Sequence, residues 1–212
     1  MKLYNFFRSG TSHRLRIALN LKGIKTDYIP IDLRRSEHLQ QAYKAINPQC
    51  LLPALVTEED VLIQSPAIIE WLEEKYPTPA LLPKDTNGRS HVRALAAIMG
   101  CDTHPLCNRR VLEYLRHQFN ADENAIEAWC AQWMHDSFKA YESILSQRKI
   151  KTPYSLGTTP SLADVYLIPQ VESAHRFKVD LTAYPLVKTV NQNCLELEAF
   201  KLAAPSLQTD AS

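Results

Sequence analysis

Arg8-Ser9-Gly10-Thr11-Ser12 gathers hydroxyls and a guanidinium into one short stretch near the start of the chain. Residues 2–6 before it read as a strand, and Leu15, Ile17, Ala18, Leu19 and Leu21 after it recur at helical spacing. The stretch therefore joins a strand end to a helix start. Backbone N–H groups without intrahelical partners, and the positive end of the helix dipole, favour an anion there and depress a thiol pKa. A thiolate suits such a turn, with Ser9, Thr11 and Ser12 as hydroxyl donors and Arg8 as a cation beside them. A plainer reading satisfies the same residues: Ser9, Thr11 or Ser12 N-caps the helix and does nothing more.

Two further places can hold a peptide-like ligand. Pro53 opens a strand, and if its peptide bond is cis the backbone of Leu52 turns outward, free to pair with an extended chain; a trans proline at a strand edge is the alternative. Gln64-Ser65 ends a strand and opens a helix, so the Ser65 hydroxyl and the following N–H groups can receive a carboxylate, or Ser65 is a capping serine alone. Farther on, Arg109-Arg110 offers a planar fork for a carboxylate, and a helical step of about 100° lets only one of the pair face inward. Arg110 is the choice. Cys101, His104 and Cys107 are metal-ligand types three residues apart, but that spacing fans them around a helix, so no metal is expected.

The elements that must position these groups follow the chain. Residues 26–33 alternate like a strand, residues 36–46 read as a short helix ended by Asn47-Pro48, residues 52–56 and 61–63 as two strands, and residues 65–72 as a helix. That order, βαβ-α-ββα, is the order of a thioredoxin-like α/β domain, assigned to residues 1–79. The prolines and polar residues of 80–88 read as a linker, and residues 89–212 as an all-α domain. Its expected helices run from residue 91 past a break at His104-Pro105 to residue 115, over 125–145 with Trp129, Trp133 and Phe138 facing the core, and over 184–200. Ser161-x-x-Asp164 is a capping box before 165–171. Residues 203–212 read as a mobile polar tail.

Composition narrows the classes. In 212 residues with a net charge of +1 there is no basic tract for nucleic acid or anionic membrane. Five cysteines without a CxxC fit reduced thiols in the cytoplasm better than a disulfide framework. No apolar run approaches the roughly 20 residues of a membrane span, and no leader is expected.

The stretch FRSGTSHRLRIALNLKGI resembles the Ser-Ser-Cys-x-x-Arg-Val-Arg-Ile-Ala-Leu signature of zeta-class glutathione transferases. Ser9 stands at the first Ser, Gly10 at the second and Thr11 at the Cys. Pro105-Leu106-Cys107-Asn108 and Arg176-Phe177-Lys178-Val179-Asp180-Leu181 match two further family blocks. The resemblance implies the glutathione transferase fold, glutathione as cofactor, and a homodimer. Glutathione would be held by Ser9, Thr11, His38, Leu52, Pro53, Gln64, Ser65, His104 and Asn108. Arg176 and, from the residue pattern, Arg8 and Arg110 would serve a dicarboxylate keto-acid. The activity implied is cis–trans isomerisation of a maleyl compound by reversible thiolate addition. The extra cation favours maleylpyruvate over the longer maleylacetoacetate. A conjugating transferase would use the same glutathione site, whereas a noncatalytic thioredoxin-like module would have lost the hydroxyls at Ser9 and Thr11.

Overall fold

The computed structural model of the chain describes residues 1–211. Strand β1 (Lys2–Asn5) turns Leu3 and Asn5 inward, and runs parallel to β2 (Asp27–Pro30) with Leu3 opposite Tyr28. On its other side β1 is antiparallel to β3 (Ala54–Val56), which forms a hairpin with β4 (Val61–Ile63). Among the described residues the strands make one four-stranded sheet in the order β2-β1-β3-β4. The parallel β1–β2 pair needs a crossover, which α1 (Gly10–Leu21) supplies. Leu15, Ile17, Ala18 and Leu19 of α1 are buried together with Ile68, Ile69 and Leu72 of the helix after β4. At the edge of that core, Phe6, Tyr43 and Leu52 form a cluster that Phe7, Ile31 and Ile46 complete.

The chain divides into two compact units, residues 1–81 together with the C-terminal residues from Glu196, and residues 82–195. The expected all-α domain of 89–212 departs from this at its end. Asn20 Nδ2 donates to Ala199 O at 2.9 Å and Arg16 Nε donates to Ala203 O at 3.0 Å, so the last residues belong to the first unit. Residues 203–211 are correspondingly not a mobile tail: Ala203 is fully buried and Asp210 accepts the Phe7 N–H at 3.0 Å. Ser212, the rest of that expectation, lies outside the described residues.

Other boundaries shift for local reasons. The helix expected over 36–46 is a 3-10 turn (Glu37–Leu39) and a short α2 (Gln41–Lys44), parted at Gln40 by an extended backbone. After α3 (Ser65–Lys75), α4 (Thr86–Ala97) starts inside the expected linker, because Asp85 Oδ1 accepts the Gly88 N–H at 2.7 Å as an N-cap. α4 widens into a π-helical stretch (Ile98–Thr103), and a new helix, α5 (Arg109–Phe119), follows the break at His104-Pro105. In α6 (Glu123–Ser146) the face sealed in the core is Ile126, Cys130, Met134, Phe138 and Tyr141; Trp129 and Trp133, expected there, are half-buried at its margin. α7 (Leu162–Arg176) carries the expected capping box, with the buried Asp164 accepting from the Ser161 and Ser155 N–H groups at 2.8 Å. The last expected helix is two, α8 (Pro185–Leu195) and α9 (Glu198–Lys201).

Candidate functional site

Ser9 is the N-cap of α1, extended in backbone and accepting the Ser12 N–H through Oγ at 3.3 Å. The capping account is therefore correct as far as it goes. It leaves the hydroxyl protons to be placed. Thr11 Oγ1 donates to Leu52 O at 2.8 Å, which commits its only proton. The 2.9 Å contact between Ser9 Oγ and Thr11 Oγ1 must then run from Ser9 to Thr11. The result is a chain of donors, Ser9 to Thr11 to Leu52, in which Ser9 holds the proton that can turn toward a new acceptor by giving up one neutral hydrogen bond. Arg8 is exposed beside it, 6.0 Å from the Phe7 ring centroid.

The charges behind the turn are buried. Arg16 donates to Asn5 Oδ1 at 2.8 Å and to Phe7 O at 2.9 Å; burial lowers its pKa to about 10, which still leaves a full cation at neutral pH. His13, its neighbour on α1, is held neutral: burial first, and the Arg16 charge second, depress it to about 3.

The Leu52-Pro53 bond is cis. Tyr43 Oη and Asn47 Nδ2 each donate to Leu51 O at 2.7 Å, which fixes the loop that presents Leu52. Gln64 has φ 65° and ψ 107°, a backbone that a side-chain-bearing residue holds only at a cost of order 1–3 kcal/mol, and its Nε2 donates to Gln49 Oε1. This turn delivers Ser65 as the first residue of α3 with its hydroxyl buried and without a hydrogen-bond partner among the described residues. Capping by Ser65 is thus overturned: Gln64 occupies the cap position and no side chain caps the helix. A buried, unspent hydroxyl at the N-terminus of an eleven-residue helix is a fitted receptor for a carboxylate. His38 lies half-buried in the 3-10 turn of the same unit.

In the helical unit, Asn108 caps α5, its Oδ1 accepting the Arg110 N–H at 3.1 Å. His104, half-buried, ends the π-helical stretch four residues before it. Arg109 and Arg110 are both exposed on the unit's own surface. They differ in commitment: Arg109 Nε lies 4.0 Å from Glu113 one turn on, while the Arg110 guanidinium makes no ion pair or hydrogen bond among the described residues. Arg176 ends α7 over the Phe177 ring at 4.9 Å, and its charge acts on the thiols of Cys130 and of Cys107, the residue before Asn108. Trp129 Nε1 secures that junction by donating to Leu106 O at 2.9 Å. Among the described residues no three His, Cys, Asp or Glu side chains gather as a metal site.

Sequence reasoning passed over Tyr43, Asn47 and Gln49, which hold the Leu52 and Gln64 loops. Asn47-Pro48 counted only as a helix stop, though an Asn before Pro in a tight loop is itself a cue to side-chain bonding.

The model for the glutathione S-transferase N-terminal domain matches residues 8–75. A maleylpyruvate isomerase from a Ralstonia species is 63% identical over 212 residues, all of both chains. The holo structure of a maleyl pyruvate isomerase, a bacterial glutathione S-transferase in the zeta class, superposes with a TM-score of 0.99 at 63% identity over the whole of both chains. A maleylacetoacetate isomerase from Anaeromyxobacter dehalogenans, solved with dicarboxyethyl glutathione and citrate in its active site, gives a TM-score of 0.89 at 38% identity, covering all of this chain and 93% of that one.

Proposed function

The chain belongs to the zeta-class glutathione S-transferase family, and from that membership we propose that it isomerises maleylpyruvate to fumarylpyruvate with glutathione as a recycled cofactor. Bound glutathione supplies a thiol whose reversible addition to the alkene lets the carbon–carbon bond rotate. The residues present suit that cofactor. The observation that carries the reading is the buried, unspent Ser65 hydroxyl at the N-terminus of α3, which fits the γ-glutamyl carboxylate. Gln64 and the Leu52 backbone, beside the cis Pro53, are the further peptide contacts, and His38, His104 and Asn108 are proposed at lesser weight.

Ser9 would turn its proton from Thr11 toward the sulfur and hold the sulfur as thiolate, assisted by the N-terminal N–H groups of α1. Thr11, with its own proton on Leu52 O, accepts the Ser9 proton in the free protein and gives it up when the sulfur arrives. Arg8, Arg110 and Arg176 take the substrate carboxylates, and a cation near developing negative charge on the keto group stabilises the transition state. Conjugation to a stable product is the second reading of the same glutathione site. The uncommitted Arg110 guanidinium favours a dianionic substrate instead.

We further propose a cytoplasmic homodimer. Five free cysteines fit a reducing compartment, and the homodimer rests on membership of the family. Isomerisation of maleylpyruvate and of maleylacetoacetate, each followed with and without glutathione, tests the reading. Faster turnover of maleylacetoacetate would refute the substrate, and a stable glutathione conjugate as product would refute the reaction.

A further inference from the structure

The strand-to-helix turn has a support that lies at the opposite end of the chain. Asp210 Oδ2 accepts the Phe7 N–H at 3.0 Å, across 203 residues of sequence, and its Oδ1 takes the Tyr28 hydroxyl from the outer strand β2. Burial and the Asp210 carboxylate both keep the Tyr28 hydroxyl protonated well above its ordinary range. Ala203 O, from the same C-terminal segment, accepts Arg16 Nε at 3.0 Å, and that guanidinium also donates to Phe6 O at 3.4 Å and to Phe7 O at 2.9 Å. Ser9 N donates to Phe6 O at 3.1 Å. Phe6 N reaches Ser12 Oγ at 3.5 Å, the long end of the range.

Every backbone polar group of Phe6 and Phe7 is thereby bound. Only one of these bonds, from the Phe7 N–H, uses a side chain of the C-terminal segment directly. The Phe6–Phe7 peptide leads directly into Arg8 and Ser9; its carbonyl is held by the Ser9 N–H and by Arg16, and its N–H by Asp210, so the two ends together set where both side chains leave the backbone. Without Asp210 the peptide is held at its carbonyl alone, and the freed N–H, next to a buried Phe6, would tilt the plane toward water or another acceptor.

We infer that Asp210 is a positioning residue for the reaction: through the Phe7 N–H it fixes the direction of Arg8 and of the Ser9 hydroxyl. The peptide contacts at Leu52, Gln64 and Ser65 do not pass through Phe7, so glutathione affinity should be largely independent of it. The consequence rests on the proposed function for Ser9, but the readout chosen does not require turnover.

The test compares Asp210→Ala, Asp210→Asn and Tyr28→Phe in the full-length protein. Thiolate absorbance of bound glutathione is titrated against pH, and kcat and KM for glutathione are measured beside it. Asp210→Ala should raise the bound-thiol pKa by about one pH unit and lower kcat by about tenfold, with KM for glutathione within about twofold. Asp210→Asn keeps an acceptor for Phe7 and should recover most of the loss. Tyr28→Phe removes the other bond to Asp210 while leaving the Phe7 bond, and should stay within about twofold of the parent. A role confined to docking the C-terminal segment predicts similar losses for Asp210→Ala and Tyr28→Phe, and that result overturns the inference. An unmoved thiol pKa in Asp210→Ala overturns it too. Absence of maleylpyruvate isomerisation by the parent protein would strike the proposed function alone, since the thiol titration still tests Asp210.

Discussion

Replacing Ser65 by Ala separates ligand recognition from helix capping, because the structure assigns the two roles opposite consequences. The Ser65 hydroxyl is buried and has no partner among the described residues, and the cap position belongs to Gln64. Removing it takes no hydrogen bond from the free protein and relieves a buried polar atom of its desolvation cost, about 1–3 kcal/mol before any relaxation. The free protein should therefore be as stable as the parent or more so. With glutathione bound, the same change removes a hydrogen bond to a carboxylate, worth roughly 1.5–3 kcal/mol, which raises Kd by about ten- to 150-fold. Calorimetric titration with glutathione and urea unfolding of the ligand-free protein give the two numbers. Because a remote contact acts alike in ground and transition states, kcat at saturating glutathione should change little. A free protein destabilised by about 1 kcal/mol or more with an unchanged Kd would refute the argument and return Ser65 to capping.

The donor chain at the turn predicts that Ser9→Ala lowers kcat by about ten- to a hundredfold and raises the pKa of bound glutathione, with Kd little affected. Thr11→Val removes only an acceptor that Ser9 relinquishes on turning to the sulfur, so it should change kcat and the bound-thiol pKa little, and an effect equal to that of Ser9→Ala in a thiol titration would contradict the assigned proton order. Arg110→Ala should raise KM for maleylpyruvate by about tenfold or more and leave glutathione binding unchanged, whereas Arg109→Ala, already drawn toward Glu113, should do little in the same assay. His13 gives a pH prediction: with its folded pKa near 3 and an unfolded value of 6.5, the native state refuses a proton that the unfolded chain accepts. Its stabilising contribution is whole above about pH 6.5 and is lost as pH falls toward 3, at about 1.4 kcal/mol per pH unit. Urea unfolding at several acidic pH values should show that slope in the parent and a shallower one in His13→Phe; equal slopes would refute it.

What the sequence made legible was local. The strand, the turn and α1 follow from alternation passing into helical spacing, and Ser9 as a capping residue follows from its type and place. Which of the two arginines Glu113 takes is not legible in the same way, since it stands four residues from Arg109 and three from Arg110, and only the structure gives it to Arg109. Other features turn on partners far away in the chain. No local composition distinguishes the isomers of Leu52-Pro53. The polar C-terminal segment carries no period that would announce Asp210 on the Phe7 N–H, so polarity read as mobility. Ser65 looks alike as a cap and as a receptor until the burial of its oxygen is known. The same limit governs Ser9 and Thr11, which the sequence left as equal candidates for the thiolate. A hydroxyl has one proton, and which hydroxyl can spare it depends on where the other's has gone. That is set by the bond from Thr11 to Leu52 O, across 41 residues, which commits Thr11 and leaves Ser9 to donate.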